Sequence, residues 1–423
     1  MMTLLAIFMG LIFVYSLVSA RAEKTIFTAP MLLTAAGIGV ASALPELQEP
    51  KLSAAMFLWL AEVGLVLLLF TDASRTNLRL LTSIRSLPTR LLSTGMLLTI
   101  LLGAVAALIV LPGLSIWEAG ILAAILAPTD AGLGQVIVTS PRVPLRIGQA
   151  LNVEAGLNDG LSVPFLLFFI ALAGVASHQA SLVRLIMEQL GYGALIGAGI
   201  GFAGGWLLNR AHRQRSIASS FHQLGLVALP LLCFPASEAA GASMFIAAFV
   251  AGLTVQIKFK QAGKHSVEFT EEWGQFINLF VFFLFGVLIA RDWRHFTLPL
   301  LAYAILSLTV VRMLPVAIAL IGTRLSAATV LFMGWFGPRG LASIVLGLVY
   351  LEQETHQPGE ATIRYAVMLT VLLSIFLHGL SALPGINLYA GKVAALDPTA
   401  PESEPGAKAP ASTASPQLHS AHD

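Results

Sequence analysis

Thirteen apolar stretches constrain what this chain can fold into. They fall near residues 3–20, 28–45, 53–71, 90–112, 116–138, 149–176, 190–209, 221–236, 239–256, 274–290, 297–321, 327–350 and 362–385. A helix crossing a hydrocarbon core of ~30 Å needs about 20 predominantly apolar residues, somewhat fewer if it is short or broken. The expected fold class is therefore an all-α polytopic membrane protein with about 13 transmembrane helices. Composition agrees: 57% of the 423 residues are apolar and 11% are charged, against ~25% charged in soluble domains. A soluble enzyme is excluded on that ground. The single cysteine, Cys233, excludes an internal disulfide and a cysteine metal cluster, so compartment has to be read from charge.

The basic residues test the count independently, because short cytoplasmic loops carry an excess of Lys and Arg. Alternate loops, beginning after the first stretch, hold 17 of the 24 basic residues, and the remaining loops hold five. Arg312 and Arg339 lie inside apolar stretches. One missed or added helix would scramble this bias. It predicts an N-terminus outside, a C-terminus in the cytoplasm, and a multi-pass location in the cell (inner) membrane. Residues 3–20 are read as a first transmembrane helix rather than a cleaved signal, because Arg21 and Lys24 follow the apolar run instead of preceding it.

Within this apolar background, residues 126–164 carry three carboxylates, Asp130, Glu154 and Asp159. A carboxylate at membrane depth is costly and persists where it faces a protein interior or a water path. Pro128 has no amide donor and crowds the preceding turn, so the fifth helix is expected to open at Ala127-Pro128-Thr129-Asp130. In the sixth, Glu154 and Asn158 are four apart and share a face, which suggests that the Asn158 amide donates to Glu154. Asp159 projects about 100° further round. The twelfth helix is interrupted at Gly337-Pro338-Arg339-Gly340. If helices 1–6 and 8–13 (about 1–176 and 221–385) are repeats joined by helix 7, they are inverted, and helix 5 corresponds to helix 12. Paired interruptions of this kind point to a transporter binding site at the midplane.

APTDA at 127–131, VEAGLNDG at 153–160 and FGPRGLAS at 336–343 together resemble the monovalent cation:proton antiporter superfamily, specifically the CPA1 branch of NhaP-type Na+/H+ antiporters. The resemblance spans nearly the whole membrane part. It implies an NhaA-like inverted-repeat fold with discontinuous helices 5 and 12. The implied activity is exchange of a monovalent cation (Na+, with Li+ and K+ as alternatives) for H+ by alternating access, with no cofactor. It further implies a homodimer in the lipid bilayer, no nucleic-acid partner and, from the Asn158-Asp159 pair, electroneutral exchange. Asp159 is expected to bind cation and proton in turn.

Asp130 and Thr129 either ligate the ion, which the resemblance implies, or Asp130 compensates the positive end of a half-helix. Glu62, mid-way along the third helix, is the acidic residue that the resemblance places near the ion path. Glu154, Asn158 and Arg339 form an expected supporting network, with Glu154 as counter-charge to Arg339, since a buried Arg needs one. Ala155 stands where the family usually has a small hydroxyl residue. Arg312 has no partner that the sequence names, and His378 is expected to hydrogen-bond within the bundle. Asp72 and Arg75 read as an ordinary polar helix end. Residues 1–390 are expected to form the membrane domain. The segment 391–423, from Asp397 onward rich in Pro, Ala and Ser, is expected to be a disordered cytoplasmic tail. A cation channel and a membrane-embedded hydrolase are the competing classes, without a TVGYG-like filter or an H-E-x-x-H motif to support them.

Overall fold

The computed structural model describes residues 2–22, 25–44, 54–75, 87–175, 187–259, 267–352, 358–396 and 400–402. Among them there is no strand, and each of the thirteen apolar stretches is occupied by helix. We label these α1 (Met2–Ala22), α2 (Ala29–Ala43), α3 (Ala54–Arg75), α4 (Leu87–Val110), α5a (Ile116–Ile125), α5b (Ala131–Val138), α6 (Leu145–Val175), α7 (Met187–Arg213), α8 (Ser219–Ala239), α9 (Met244–Lys258), α10 (Val267–Asp292), α11 (Leu298–Ala319), α12a (Ala327–Trp335), α12b (Leu341–Glu352) and α13 (Glu360–Val393). Seven of the described helices are long and apolar enough to cross a membrane unaided. The rest are shorter apolar helices, the half-helices of the two interrupted ones, and the 22-residue α3.

Several boundaries differ from the sequence expectation, in the direction that membrane helices favour. α8 runs through Pro235 to Ala239 and turns only at Gly241, where φ is +61°. α13 likewise runs through Pro384 to Val393. Proline is tolerated in such helices because neighbouring groups re-satisfy the freed backbone. α11 is dislocated at Thr309 (φ −108°, ψ −91°). Of the segment 391–423, the described part is ordered: α13 continues to Val393, and Glu402 is buried against the start of α12a. The rest of that segment lies outside the described residues.

Packing follows small residues. Without water to squeeze out, membrane helices associate through close backbone approach and dispersion. Gly197, Gly201 and Gly205 recur every four residues on α7, where a side chain would run into the backbone of Ala247, Ala251 and Val255 on α9. α10 packs on α2 and α3, and α9 also packs on α3. α5a lies between α4 and α6, while α13 packs against α11 and α12b. The large buried cluster contains mainly Leu, Phe, Ala and Ile from nearly all of these helices. Leu195, Trp206, Leu101 and Ile109 point outward, as a lipid-facing surface requires.

Candidate functional site

Helices 5 and 12 are each interrupted, and the two interruptions meet. Leu126–Asp130 separates α5a from α5b, and Phe336–Gly340 separates α12a from α12b. A helix end leaves up to four backbone groups unpaired, and here four ends come together away from water. Their polar groups are satisfied reciprocally. Asp130 N–H donates to Pro338 O at 2.8 Å. The Asp130 carboxylate accepts from Leu133 N–H (2.9 Å, Oδ1) at the start of α5b and from Leu341 N–H (2.7 Å, Oδ2) at the start of α12b. One negative charge thus caps two positive half-helix ends. In the other direction, Arg339 Nη1 donates to Ala127 O (2.7 Å) and Pro128 O (3.0 Å), and Ser343 Oγ donates to Ile125 O (2.8 Å). The acid serves the amide ends, and the base serves the carbonyl ends.

The glycines of the GPRG motif have a reason in this geometry. A side chain on Gly340 would strike the Asp130 carboxylate, and one on Gly337 would strike the Arg312 guanidinium. Each glycine makes room for a buried charge.

Two sequence-based pairings are corrected. Glu154 is the partner of Arg312, not of Arg339: Arg312 Nη1 and Nη2 reach Glu154 Oε1 and Oε2 at 2.5 and 2.9 Å, and both residues are 3% exposed. This bidentate pair answers the open question of Arg312. Arg339 is fully buried, and its contacts are carbonyls instead. The Asn158 amide donates to Thr129 Oγ1 at 2.7 Å rather than to Glu154. Thr129 is thereby fixed to α6, beside Asp130.

Arg312 Nε and Arg339 Nε and Nη2 are buried without a hydrogen-bond partner among the described residues, but their guanidiniums are engaged through their other nitrogens. Asp159 differs from the acids of the crossing. It is 4% exposed, and its Oδ1 has no hydrogen-bond partner among the described residues. Asn158 Oδ1 and Asn278 Oδ1 are buried and unpartnered in the same sense. The Asn278 amide nitrogen on α10 lies 3.7 Å from where a side chain on Gly132, in the first turn of α5b, would begin. These oxygens are the hard donors that an alkali cation takes. A narrow cleft lined by Thr129, Asp130, Glu154, Ala155, Phe336 and Pro338 runs beside α5b towards Val138. Asp159 lies one helical turn beyond Ala155, on the same face of α6.

The third helix contributes a residue whose importance the sequence did not suggest. Asp72 lies within 3.4 Å of where a side chain on Gly156 would begin, and close enough to Asp159 to act on it electrostatically. Glu62 is also buried, but it is ten residues earlier on α3, about 15 Å along the axis. Asp72 resembles a helix end because a polar Thr71-Asp72-Ala73-Ser74-Arg75 run follows the apolar stretch. Its position on the same helix as Glu62, nearer the depth of the α6 motif, was the available signal. A further intramembrane acid, Glu118, is structural. It caps α5a through Ser115 N–H and accepts from Gly359 N–H ahead of α13, both at 2.7 Å.

The family model described as sodium/hydrogen exchanger, transmembrane, matches residues 4–385. The chain belongs to this family. Relatives place it with the NhaP-type, CPA1 members. It is 26% identical over 384 residues to the K(+)/H(+) antiporter NhaP of Alkalimonas amylolytica, covering 89% of this chain and 65% of that one. It is 27% identical over 298 residues to a Na(+)/H(+) antiporter of Schizosaccharomyces pombe, covering 62% of each. With the K(+)/H(+) antiporter NhaP2 of Shewanella sp. (strain MR-4) it shares 26% over 274 residues, or 63% of this chain and 46% of the other. The chain thus spans about half to two thirds of the length of these relatives. The fold matches that of the sodium proton antiporter MjNhaP1 from Methanocaldococcus jannaschii, with a TM-score of 0.73 and 21% identity, covering 92% of this chain and 99% of that one. The exchanger family accordingly supplies the frame for the crossing: an integral membrane protein with two interrupted helices.

Proposed function

We propose that this exchanger-family chain is a secondary active antiporter that trades a monovalent cation for H+ at Asp159. The observation that carries the reading is the contrast between a buried carboxylate oxygen without a partner and a neighbouring crossing whose main charges are engaged. A proton and a cation compete for the same carboxylate. When protonated, Asp159 has no charge to hold the cation; when ionised, it needs one.

Thr129 and Asp130 line the cleft beside α5b, whose lining ends at Ala155, one helical turn short of Asp159, and supply oxygens that retain lone pairs beyond their hydrogen bonds. Asn158 holds Thr129 in place. Asp72 adds a further carboxylate from α3, and Glu62, at another depth, is assigned to the path rather than to the site. Glu154, Arg312 and Arg339 keep the crossing charge-balanced. Alternating access follows if the element bearing the crossing and α6 moves against α3 and α10, so that Asp159 faces each side in turn. The inverted repeats about 1–176 and 221–385, one-for-one stoichiometry, the homodimer, and an inner-membrane location with the N-terminus outside belong to the same proposal.

Na+ and K+ both stand as cargo, since relatives named for each are similar to this chain. The test is proton movement in acidified everted vesicles on addition of NaCl, LiCl or KCl, followed with a pH-gradient dye. Dequenching with an order among the ions gives both activity and selectivity. Folded protein with no response from acid to alkaline pH defeats the proposal.

A further inference from the structure

His378 is a buried titratable group for which the exchange mechanism above has no use. It lies on α13, 3% exposed, with its ring 5.0 Å from that of Trp335. Its Nε2 reaches one side of the helix 12 interruption directly, and its Nδ1 reaches the other only through Ser374 on its own helix. Nε2 is 2.9 Å from Trp335 O, the carbonyl that ends α12a. Nδ1 is 3.2 Å from Ser374 Oγ and 3.0 Å from Ser374 O. Ser374 Oγ in turn accepts the Arg339 N–H at 2.6 Å.

Each ring nitrogen faces a carbonyl oxygen, Nε2 that of Trp335 and Nδ1 that of Ser374, so the two neutral tautomers differ in how many hydrogen bonds each makes. With the proton on Nε2 the ring donates to Trp335 O, since a carbonyl only accepts. Nδ1 is then an acceptor and takes the Ser374 hydroxyl proton, which is free because Ser374 Oγ receives its other bond from Arg339 N–H. The Nε2–H form leaves the Nδ1 lone pair beside Ser374 O but makes two hydrogen bonds. The opposite tautomer donates from Nδ1 to Ser374 O, sets the Nε2 lone pair against Trp335 O and makes one. A doubly protonated ring would be a buried charge, and among the described residues no carboxylate touches it, while the charged groups it faces are the Arg339 and Arg312 guanidiniums.

We infer that His378 and Ser374 are positioning residues that pin both sides of the helix 12 interruption to α13, and through Arg339 set the Ala127 and Pro128 carbonyls next to Thr129 and Asp130. The relay is continuous: Trp335 O, His378, Ser374, Arg339 N–H, then Arg339 Nη1 to Ala127 O and Pro128 O. α13 therefore fixes the shape of the ion site without touching the ion. The functional part of this inference rests on the antiport reading, and the relay itself does not.

The two parts are tested by separate readouts. The first is ¹⁵N NMR of histidine-labelled protein in detergent or lipid, with the His378 signal assigned by its loss in His378→Gln or His378→Asn. The expected ring is an Nε2–H tautomer whose Nδ1 is a hydrogen-bonded acceptor, with a shift of Nδ1 in Ser374→Ala but not in Ser374→Thr, which keeps the hydroxyl. An Nδ1–H or doubly protonated ring overturns the inference. The second is the apparent KM for NaCl and KCl in exchange. Loss of one neutral hydrogen bond is worth a factor of ~2–10, so Ser374→Ala and His378→Gln should each raise KM by about that factor, less than additively when combined. Ser374→Thr should restore the wild-type value. Wild-type KM in Ser374→Ala and His378→Gln overturns the inference. Wild-type protein that exchanges no ion defeats the antiport reading instead, and the tautomer then decides the pin by itself.

Discussion

Two neighbouring regions solve the problem of buried charge in opposite ways. At the crossing, Asp130, Arg339, Glu154 and Arg312 are each engaged with a backbone end or an opposite charge. On the adjoining face of α6, Asp159 keeps an oxygen without a partner among the described residues. Since charges in a low-dielectric interior are costly unless paired, the first arrangement is what stability selects, and the second is a cost carried for function. Both regions are built from the same residue types within a few turns of helix. Among the three carboxylates of the motif, engagement rather than residue type sets Asp159 apart from Asp130 and Glu154.

That contrast is easily broken if it is wrong. Asp159→Asn should abolish cation-dependent exchange while leaving folded yield and melting temperature near wild type, because the amide removes a charge that nothing in the fold depends on. Glu154→Ala or Arg312→Ala should do the reverse, costing ~3–5 kcal/mol by leaving the other charge alone and lowering yield before any transport is measured. Replacing both by apolar residues of similar size should recover much of that loss, which a thermal-shift series can read. Asp130→Asn keeps an oxygen for one half-helix but strands the Leu133 or Leu341 amide, with an expected cost of ~1–3 kcal/mol and weaker apparent cation affinity.

The smallest effect sharpens the scaffold side. Glu402 accepts from Ser326 N–H (2.7 Å) and the Thr329 hydroxyl (2.8 Å) at the start of α12a. Burial pushes its carboxyl up, but these hydrogen bonds outweigh burial and leave it below the usual glutamate range. The sign follows: a carboxylate with a depressed folded-state value contributes stability above its unfolded value and loses it as pH falls through the folded one. Glu402→Ala should cost about 1 kcal/mol, like the loss of a helix cap, at neutral pH. The difference from wild type should vanish in acid, checked by melting curves across pH.

How much of this was legible follows from the range of each interaction. Both helix interruptions could be read because Pro128 and the Gly337-Pro338-Arg339-Gly340 run act on their own backbone. Asp159 could be singled out because α6 carries Glu154, Asn158 and Asp159 within two turns, where helical geometry fixes directions. The Glu154–Arg312 pair could not, since 158 residues separate its members and only the packing of α6 against α11 and α12 sets which arginine arrives. The same limit hid Asp72, whose meaning depends on the level at which α3 meets Gly156. Asn158 was placed on the correct helix, but between two acceptors in reach, Glu154 and Thr129, the choice belongs to the neighbouring interruption. Glu402 lay in a polar, proline-rich stretch whose composition gave no sign that part of it would dock.

The most direct test is proton flux in liposomes holding purified protein, with wild type and Asp159→Asn compared at equal amounts of folded protein. An imposed Na+ or K+ gradient should drive H+ the opposite way in wild type and move none in the variant. Undiminished exchange by Asp159→Asn would contradict antiport at this site, because the unpartnered carboxylate would then be a passenger and the transported ion would have to bind elsewhere.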